Sequence, residues 1–359
     1  AVMMFSEAGE AVQRLFRDEG NEIIKNLEKR ITERISRFID LEASLDFEPP
    51  DVRADLAGKT LLELDDGFVK TSPDHQGHGA QRALILSLLE MLTEESPTTE
   101  GEDFTRGVIL LIEEPEIYMH PQMCRKMRDV LLMIARTKIA KVICTTHSPV
   151  FIDLADRHDG IVIFKRNGNN IETIQRVDDL FGEGNVASER ARLRMLLNFD
   201  PSVNEVFFSR EVCLVEGDCE KAAIDAIARY LESKNIISFD KYLLRRRELV
   251  IVNCRGKWTI KAFQQVLNGF EINYRIVHDR DDEGEEGANA AILELLNEQE
   301  ERRLLHDPNF EQQIFGQEWS SDKPWRVTRT ISNLDEMPDD LFSFFEFVLG
   351  VSVSSLAPD

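Results

Sequence analysis

Short apolar segments that run into acidic residues, each followed by a helix-forming stretch, recur along the chain and constrain its fold more than anything else in it. Residues 107–112 end in Glu113 and Glu114, residues 211–215 end in Glu216, and residues 275–278 end in Asp279. Two further strand-like segments, 141–145 and 249–253, fall between them, and the stretches 121–135 and 222–231 read as helices. Strands alternating with helices predict an α/β fold with parallel or mixed sheets covered by helices. Ligands of such sheets collect beyond the carboxyl ends of the strands, where these acids stand. A boundary is expected between about residues 178 and 209, dividing a first domain of residues 1–185 from a second of residues 205–350.

From about residue 7 to residue 45, Val12, Phe16, Ile23, Leu27, Ile31, Ile35 and Phe38 recur at threes, fours and sevens among charges. This predicts one long amphipathic helix, able to pair as a coiled coil or to pack on its own domain. Glu48-Pro49-Pro50 ends it. Residues 60–64 and 67–70 predict a hairpin turning at Asp65-Asp66-Gly67, and residues 161–165 and 171–174 another turning at Asn167-Gly168-Asn169.

The 359 residues suffice for two cores. No apolar run approaches the roughly 20 residues of a bilayer helix, and the start of the chain lacks the basic-then-apolar pattern of a secretory signal. No membrane partner and a cytoplasmic location are therefore expected. Five cysteines without a Cys-x-x-Cys pair predict neither a zinc site nor a disulfide framework. The formal charge of −23 opposes a nucleic-acid partner, because phosphate backbones favour basic surfaces. Carboxylates that hold divalent cations are counted in that charge, however. Arg245-Arg246-Arg247, Arg302-Arg303 and the series Arg190, Arg192, Arg194 supply local positive charge.

In the first half, Glu113 and Glu114 follow their strand as the acids of a Walker B strand do, one placed to help hold a nucleotide magnesium and the other to polarise water. Upstream, Gln76-Gly77-His78-Gly79-Ala80-Gln81-Arg82 opens a helix; Gly77 and Gly79 would let backbone N–H groups reach a phosphate, with Gln81 beside them. Downstream, Cys144-Thr145-Thr146 leads into His147-Ser148-Pro149. Signature loop, Walker B strand and switch histidine in this order resemble an ABC-type ATPase. No Gly-x-x-x-x-Gly-Lys-[Ser/Thr] occurs: Gly58-Lys59-Thr60 has the tail of one, but Arg53 stands at the first glycine. The chain is thus expected to begin partway through its ATPase domain and to hydrolyse no ATP alone.

In the second half, Glu216-Gly217-Asp218-Cys219-Glu220 turns from strand to helix, with Glu216 and Glu220 placed for one site. Beyond the third strand, Asp279 and Asp281 alternate, a spacing that puts both on one face. Carboxylates packed together repel, a cost that divalent cations remove through hard oxygen ligands. The Glu-Gly and Asp-x-Asp pair, with Asn253-Cys254-Arg255-Gly256-Lys257 between them, resembles a Toprim domain.

A Toprim domain after an ABC-type ATPase in one chain resembles the OLD (overcoming lysogenization defect) family of nucleases. The expected fold is therefore a partial ABC-type ATPase domain with a helical or coiled-coil segment, then a Toprim α/β domain with a central, mostly parallel sheet. The resemblance implies hydrolysis of DNA phosphodiesters by a homodimer with two Mg²⁺ or Mn²⁺ ions, and ATP as cofactor of the intact protein. It implies Glu216, Glu220, Asp279 and Asp281 as metal ligands, Glu216, Asp279 and Asp281 being catalytic. Asn333-Leu334-Asp335-Glu336 looks like the motif supplying the second metal, through Asp335 or, since the family has Glu at that place, through Glu336. Lys323 and Lys257 are the candidates for a basic residue at the scissile phosphate. Other readings are a Toprim primase or topoisomerase, a nuclease of RNA or structured DNA, and a regulatory or dimerisation module without nuclease activity. The topoisomerase is disfavoured because Tyr118, Tyr230, Tyr242 and Tyr274 all lie inside the α/β units.

Overall fold

The computed structural model describes residues 21–36, 41–48, 59–94, 108–136, 140–181, 186–281 and 286–358. They divide into two compact units, residues 1–147 and 148–359.

In the first unit, helix α1 (Asn21–Ile35) is followed by strands β1 (Glu42–Glu48), β2 (Lys59–Asp65) and β3 (Lys70–Thr71), an antiparallel sheet in the order β1-β2-β3. The long helix expected to reach residue 45 stops at Ile35, because residues 42–48 pair along their whole length with 59–65. Thr32 Oγ1 and Glu28 Oε1 on the helix accept from the N–H groups of Ala43 and Leu45, at 2.9 and 2.8 Å. Ile31 and Ile35 lie in the unit's own core with Leu64, Ala80 and Leu84, so this part of the helix packs on its own unit. Residues 1–20 of the expected helix lie outside the described residues. Lys59 and Thr60 sit in β2, opposite Glu48 and Phe47. Residues 67–69 form the turn and not the predicted second strand: Asp65 and Asp66 accept from the N–H groups of Gly67, Phe68 and Val69. Helix α2 (His78–Glu94), strand β4 (Val108–Glu113), helix α3 (Pro121–Arg136) and strand β5 (Ala140–Thr145) follow, with β4 and β5 parallel.

The second unit opens with the hairpin β6 (Val162–Asn167) and β7 (Asn170–Gln175) and helix α4 (Val186–Phe199). Next come β8 (Glu211–Val215), α5 (Asp218–Ser233), α6 (Phe239–Arg246), β9 (Leu249–Asn253), α7 (Lys257–Gly269), β10 (Tyr274–Asp279), α8 (Glu286–Leu295), β11 (Arg303–His306), α9 (Phe310–Phe315), α10 (Lys323–Ser332) and α11 (Asp339–Leu349). The sheet is parallel throughout, in the order β11-β10-β8-β9. Its strands read as apolar runs because both faces are covered. On β8, Cys213 and Val215 face a core built with α5, α10 and α11, while Val212 and Leu214 face one built with α4 and α7. Ile161, Ile163 and Ile174 of the hairpin belong to the second of these cores, so the hairpin packs with the second unit. Strand β8 is flanked by β9 on one side and β10 on the other, so the chain reverses direction across the sheet there. Such a switch point opens a crevice beyond the strand ends. Among the described residues no helix is long and apolar enough to cross a membrane.

Candidate active site

The crevice is a cleft of about 610 Å³ at the carboxyl ends of β8, β9 and β10, with the starts of α5, α9 and α10 around it. Glu216, the first residue beyond β8, is tied into both neighbouring strand ends. Its N–H donates to Val277 O at 3.1 Å, its carbonyl accepts from Gly256 N at 3.0 Å, and its Oε2 accepts from Asp279 N at 3.0 Å. Gly256 has φ 121°, which a side chain would strain. Glu220, in the first turn of α5, is buried and accepts from Gly217 N at 3.2 Å. Asp279 Oδ1 accepts from Phe310 N at 2.8 Å.

Burial, and then the neighbouring Asp279 and Glu216 charges, push Glu220 up to about 8. Burial, and then Glu216, push Asp279 up to about 8 as well. Beneath them His278 and His306 are buried and held down to about 4 by that burial, so both rings are neutral at pH 7. Lys323 reaches the cleft and lies 3.2 Å from Glu311 Oε1; burial lowers its ammonium, but Glu311 outweighs this and the net shift is upward. Glu311 also accepts from Cys219 Sγ at 3.2 Å. Asn253 Nδ2 donates to Asp218 Oδ1 at 2.5 Å, and Arg255 lies 3.8 Å from the same atom.

The structure thus brings Glu216, Glu220, Asp279 and Lys323 to one cleft and leaves four candidates off its walls. Asp281, with φ 55°, turns its carboxylate to the buried Lys257, whose Nζ bonds Asp281 Oδ2 at 2.7 Å and Arg280 O at 2.9 Å. The alternation expected for a continuing strand fails because β10 ends at Asp279. Asp335 and Glu336 are exposed, and Asp335 O accepts from Tyr230 Oη at 3.1 Å. Ten residues of helix separate Tyr230 from Glu220, about 15 Å at 1.5 Å each. Helices α5 and α10 run side by side in the same direction, placing their starts at the cleft and Asp335 at the other end. Sequence reading missed Glu311 and His306; an acid in a short helix and a histidine in a strand carry no spacing signal.

In the first unit, β4 and β5 place Glu113 opposite Thr145. His147 Nε2 lies 3.5 Å from Glu114 Oε1, and Glu116 Oε1 accepts from Thr146 Oγ1 at 2.8 Å and from His147 N at 2.7 Å. Gly77 and Gly79 are open at the start of α2: among the described residues no atom beyond their chain neighbours and the helix's own backbone lies within 4 Å of where a Cβ would stand. The Gln81 side chain instead closes its own loop by donating to Pro73 O and Gln76 O, at 2.9 and 3.1 Å.

Residues 6–152 match the AAA ATPase domain family, and residues 207–281 match the Toprim domain of overcoming-lysogenization-defect-like proteins. The ATPase match takes in α1 and the β1–β3 sheet. It counts against the expectation that this chain hydrolyses no ATP alone. An OLD nuclease of Thermus scotoductus is 26% identical over 97% of this chain, and the Old nuclease of Escherichia phage P2 is 24% identical over 72%. The chain spans 66% of the first relative and 43% of the second. A solved structure of the SMC head bound to the C-winged-helix domain of ScpA covers 45% of this chain and 46% of its own, at 12% identity and a TM-score of 0.33. With an ATPase segment followed by an OLD-like Toprim segment, and relatives aligned across both, this chain is similar to the OLD nucleases.

Proposed function

We propose that the second unit hydrolyses DNA phosphodiester bonds with two divalent cations, Mg²⁺ or Mn²⁺. The observation that carries this reading is the mutually repelling group of buried Glu220 with half-buried Glu216 and Asp279, two of them pushed up to about 8, on one cleft with Lys323. An all-oxygen set of anionic donors under such repulsion fits a hard divalent ion. Glu216, Glu220 and Asp279 would hold it, and Asp218 and Glu311 bring two further carboxylates to the cleft wall. Among the described residues no three His, Cys, Asp or Glu side chains are placed to hold a metal ion as they stand, so an ion would have to draw these carboxylates together, and Asp281 is engaged by Lys257. When bound, the ions would lower the pKa of a water and neutralise the leaving oxygen. The chain's own part is to fix the strand ends through the Glu216–Asp279 bond and to offer the phosphate the Lys323 ammonium.

The ATPase segment is assigned within residues 1–185 and the nuclease segment within 205–350. ATP in the intact protein would be approached by Glu113, Glu114 and His147, and the helix start at Gly77 and Gly79 would meet a phosphate. A homodimer in the cytoplasm is the assembly this reading carries. The test is supercoiled plasmid incubated with the chain and Mg²⁺ or Mn²⁺, beside EDTA and an Asp279→Ala variant. Metal-dependent nicking lost in the variant is expected; a folded wild-type chain that cuts with neither metal overturns the reading.

A further inference from the structure

One wall of the cleft carries a feature that the metal reading leaves unused. Arg255 lines the cleft with its backbone at φ 56°, a left-handed conformation that is uncommon for a residue with a side chain. Its N–H donates to Asn253 Oδ1 at 3.0 Å, and its guanidinium lies 3.8 Å from Asp218, so the side chain is aimed and held. The guanidinium sits 4.7 Å over the ring of Phe199, the last residue of α4. Phe199 is 64% exposed, so a large apolar ring stands in water at the rim of a charged cleft. Packing alone does not account for that, since α4 buries Leu193 and Leu196 and leaves Phe199 out of both cores.

A flat ring capped by a planar cation offers what an unpaired nucleobase stacks on, and what a duplex, whose bases are already stacked on each other, does not use. The cleft, of about 610 Å³, is of a size to take an unpaired nucleotide. Charge agrees: Arg255 and Lys323 line the cleft and would flank a backbone phosphate brought to Glu216 and Asp279. We propose that Phe199 and Arg255 form a stacking step for an unpaired base next to the scissile phosphate, so that this site takes single-stranded or locally melted DNA in preference to intact duplex. This rests on the nuclease reading for the identity of the ligand as DNA.

The test is fluorescence anisotropy of the full chain in EDTA, with an end-labelled oligothymidylate and with a blunt duplex of equal length. Wild type, Phe199→Ala, Phe199→Trp and Arg255→Ala are compared, alongside plasmid nicking with Mn²⁺. The single strand is expected to bind more tightly than the duplex, with Phe199→Ala weakening it about tenfold and Phe199→Trp restoring it. Arg255→Ala should weaken it too. Single-strand binding unchanged in Phe199→Ala, or duplex bound as tightly as single strand, overturns the proposal even if the chain nicks DNA. Phe199-dependent single-strand binding by a chain that never cuts supports the stacking step and sinks the nuclease reading alone.

Discussion

The Glu216 carboxylate accepts a hydrogen bond from the backbone N–H of Asp279 at 3.0 Å, so the acid beyond β8 is oriented by the end of β10. The two carboxylates are thereby held close by the main chain, whatever their charges prefer.

That enforced closeness has a pH signature. Glu220 titrates in the folded chain at about 8, against 4.5 for an ordinary glutamate. A group raised in this way contributes stability that is full below about 4.5 and lost as pH rises through 8. In EDTA, Glu220→Gln should therefore raise Tm little at pH 5 and by roughly 5 °C at pH 8.5. Differential scanning fluorimetry across that range checks it, and an equal gain at both pH values would contradict it.

Lys257 and Lys323 were equal candidates in sequence, and their settings predict opposite phenotypes. Lys257→Met strips a buried ammonium from Asp281 and Arg280 O, and should cost about 3 kcal/mol in urea unfolding. Lys323→Met leaves the buried Glu311 carboxylate with the Cys219 thiol as donor, and should cost less, about 1 kcal/mol, while cutting plasmid nicking about 100-fold. The reverse pattern would mean that the roles have been exchanged.

Glu211 accepts from both Arg245 and Arg275, each at 2.7 Å. Burial raises its carboxyl, the two guanidinium bonds outweigh this, and its pKa ends below the ordinary glutamate value. A depressed group stabilises above the unfolded pKa and loses that contribution as pH falls through the folded one. Glu211→Gln should cost about 1 kcal/mol at pH 7, and the gap to wild type should close on acidification below pH 4. A gap that widens in acid would exclude this account.

Gly350 ends α11 at φ 65°, and a Cβ there would stand 2.1 Å from an Arg275 guanidinium nitrogen. Left-handed strain and the displaced arginine together should make Gly350→Ala destabilising by about 2 kcal/mol. Guanidinium chloride titration reads this directly; an unchanged midpoint would show that Arg275 yields freely.

Much of this was legible in the sequence because it follows from local patterns. The strand ends carrying Glu113, Glu216 and Asp279 are apolar runs stopped by acids, and the hairpin at Asn167-Gly168-Asn169 announces its turn, whereas the turn opened by Asp65-Asp66 runs on to Val69. Other features depend on partners distant in the chain. Helix α1 stops because residues 42–48 find 59–65, and no periodicity within 7–45 can show that. Asp281 alternates correctly with Asp279 on paper, yet the strand ends one residue too soon and Lys257, 24 residues back, claims its side chain. Asp335 looks like an acid of the site until α10 carries it to the far end of α5. Glu311 gives no signal at all, since only the packing of α9 under Asp279 brings it to Lys323 and Cys219.

The reversal of chain direction at β8 also divides the site by provenance. Glu216, Asn253 and Asp279 sit at sheet ends, where moving one strand would disturb three. Glu311 and Lys323 hang on the segment after β11, at the border of the sheet, where insertions leave every strand pairing intact. Selection can therefore redraw what enters the cleft while the acids at its floor stay in register.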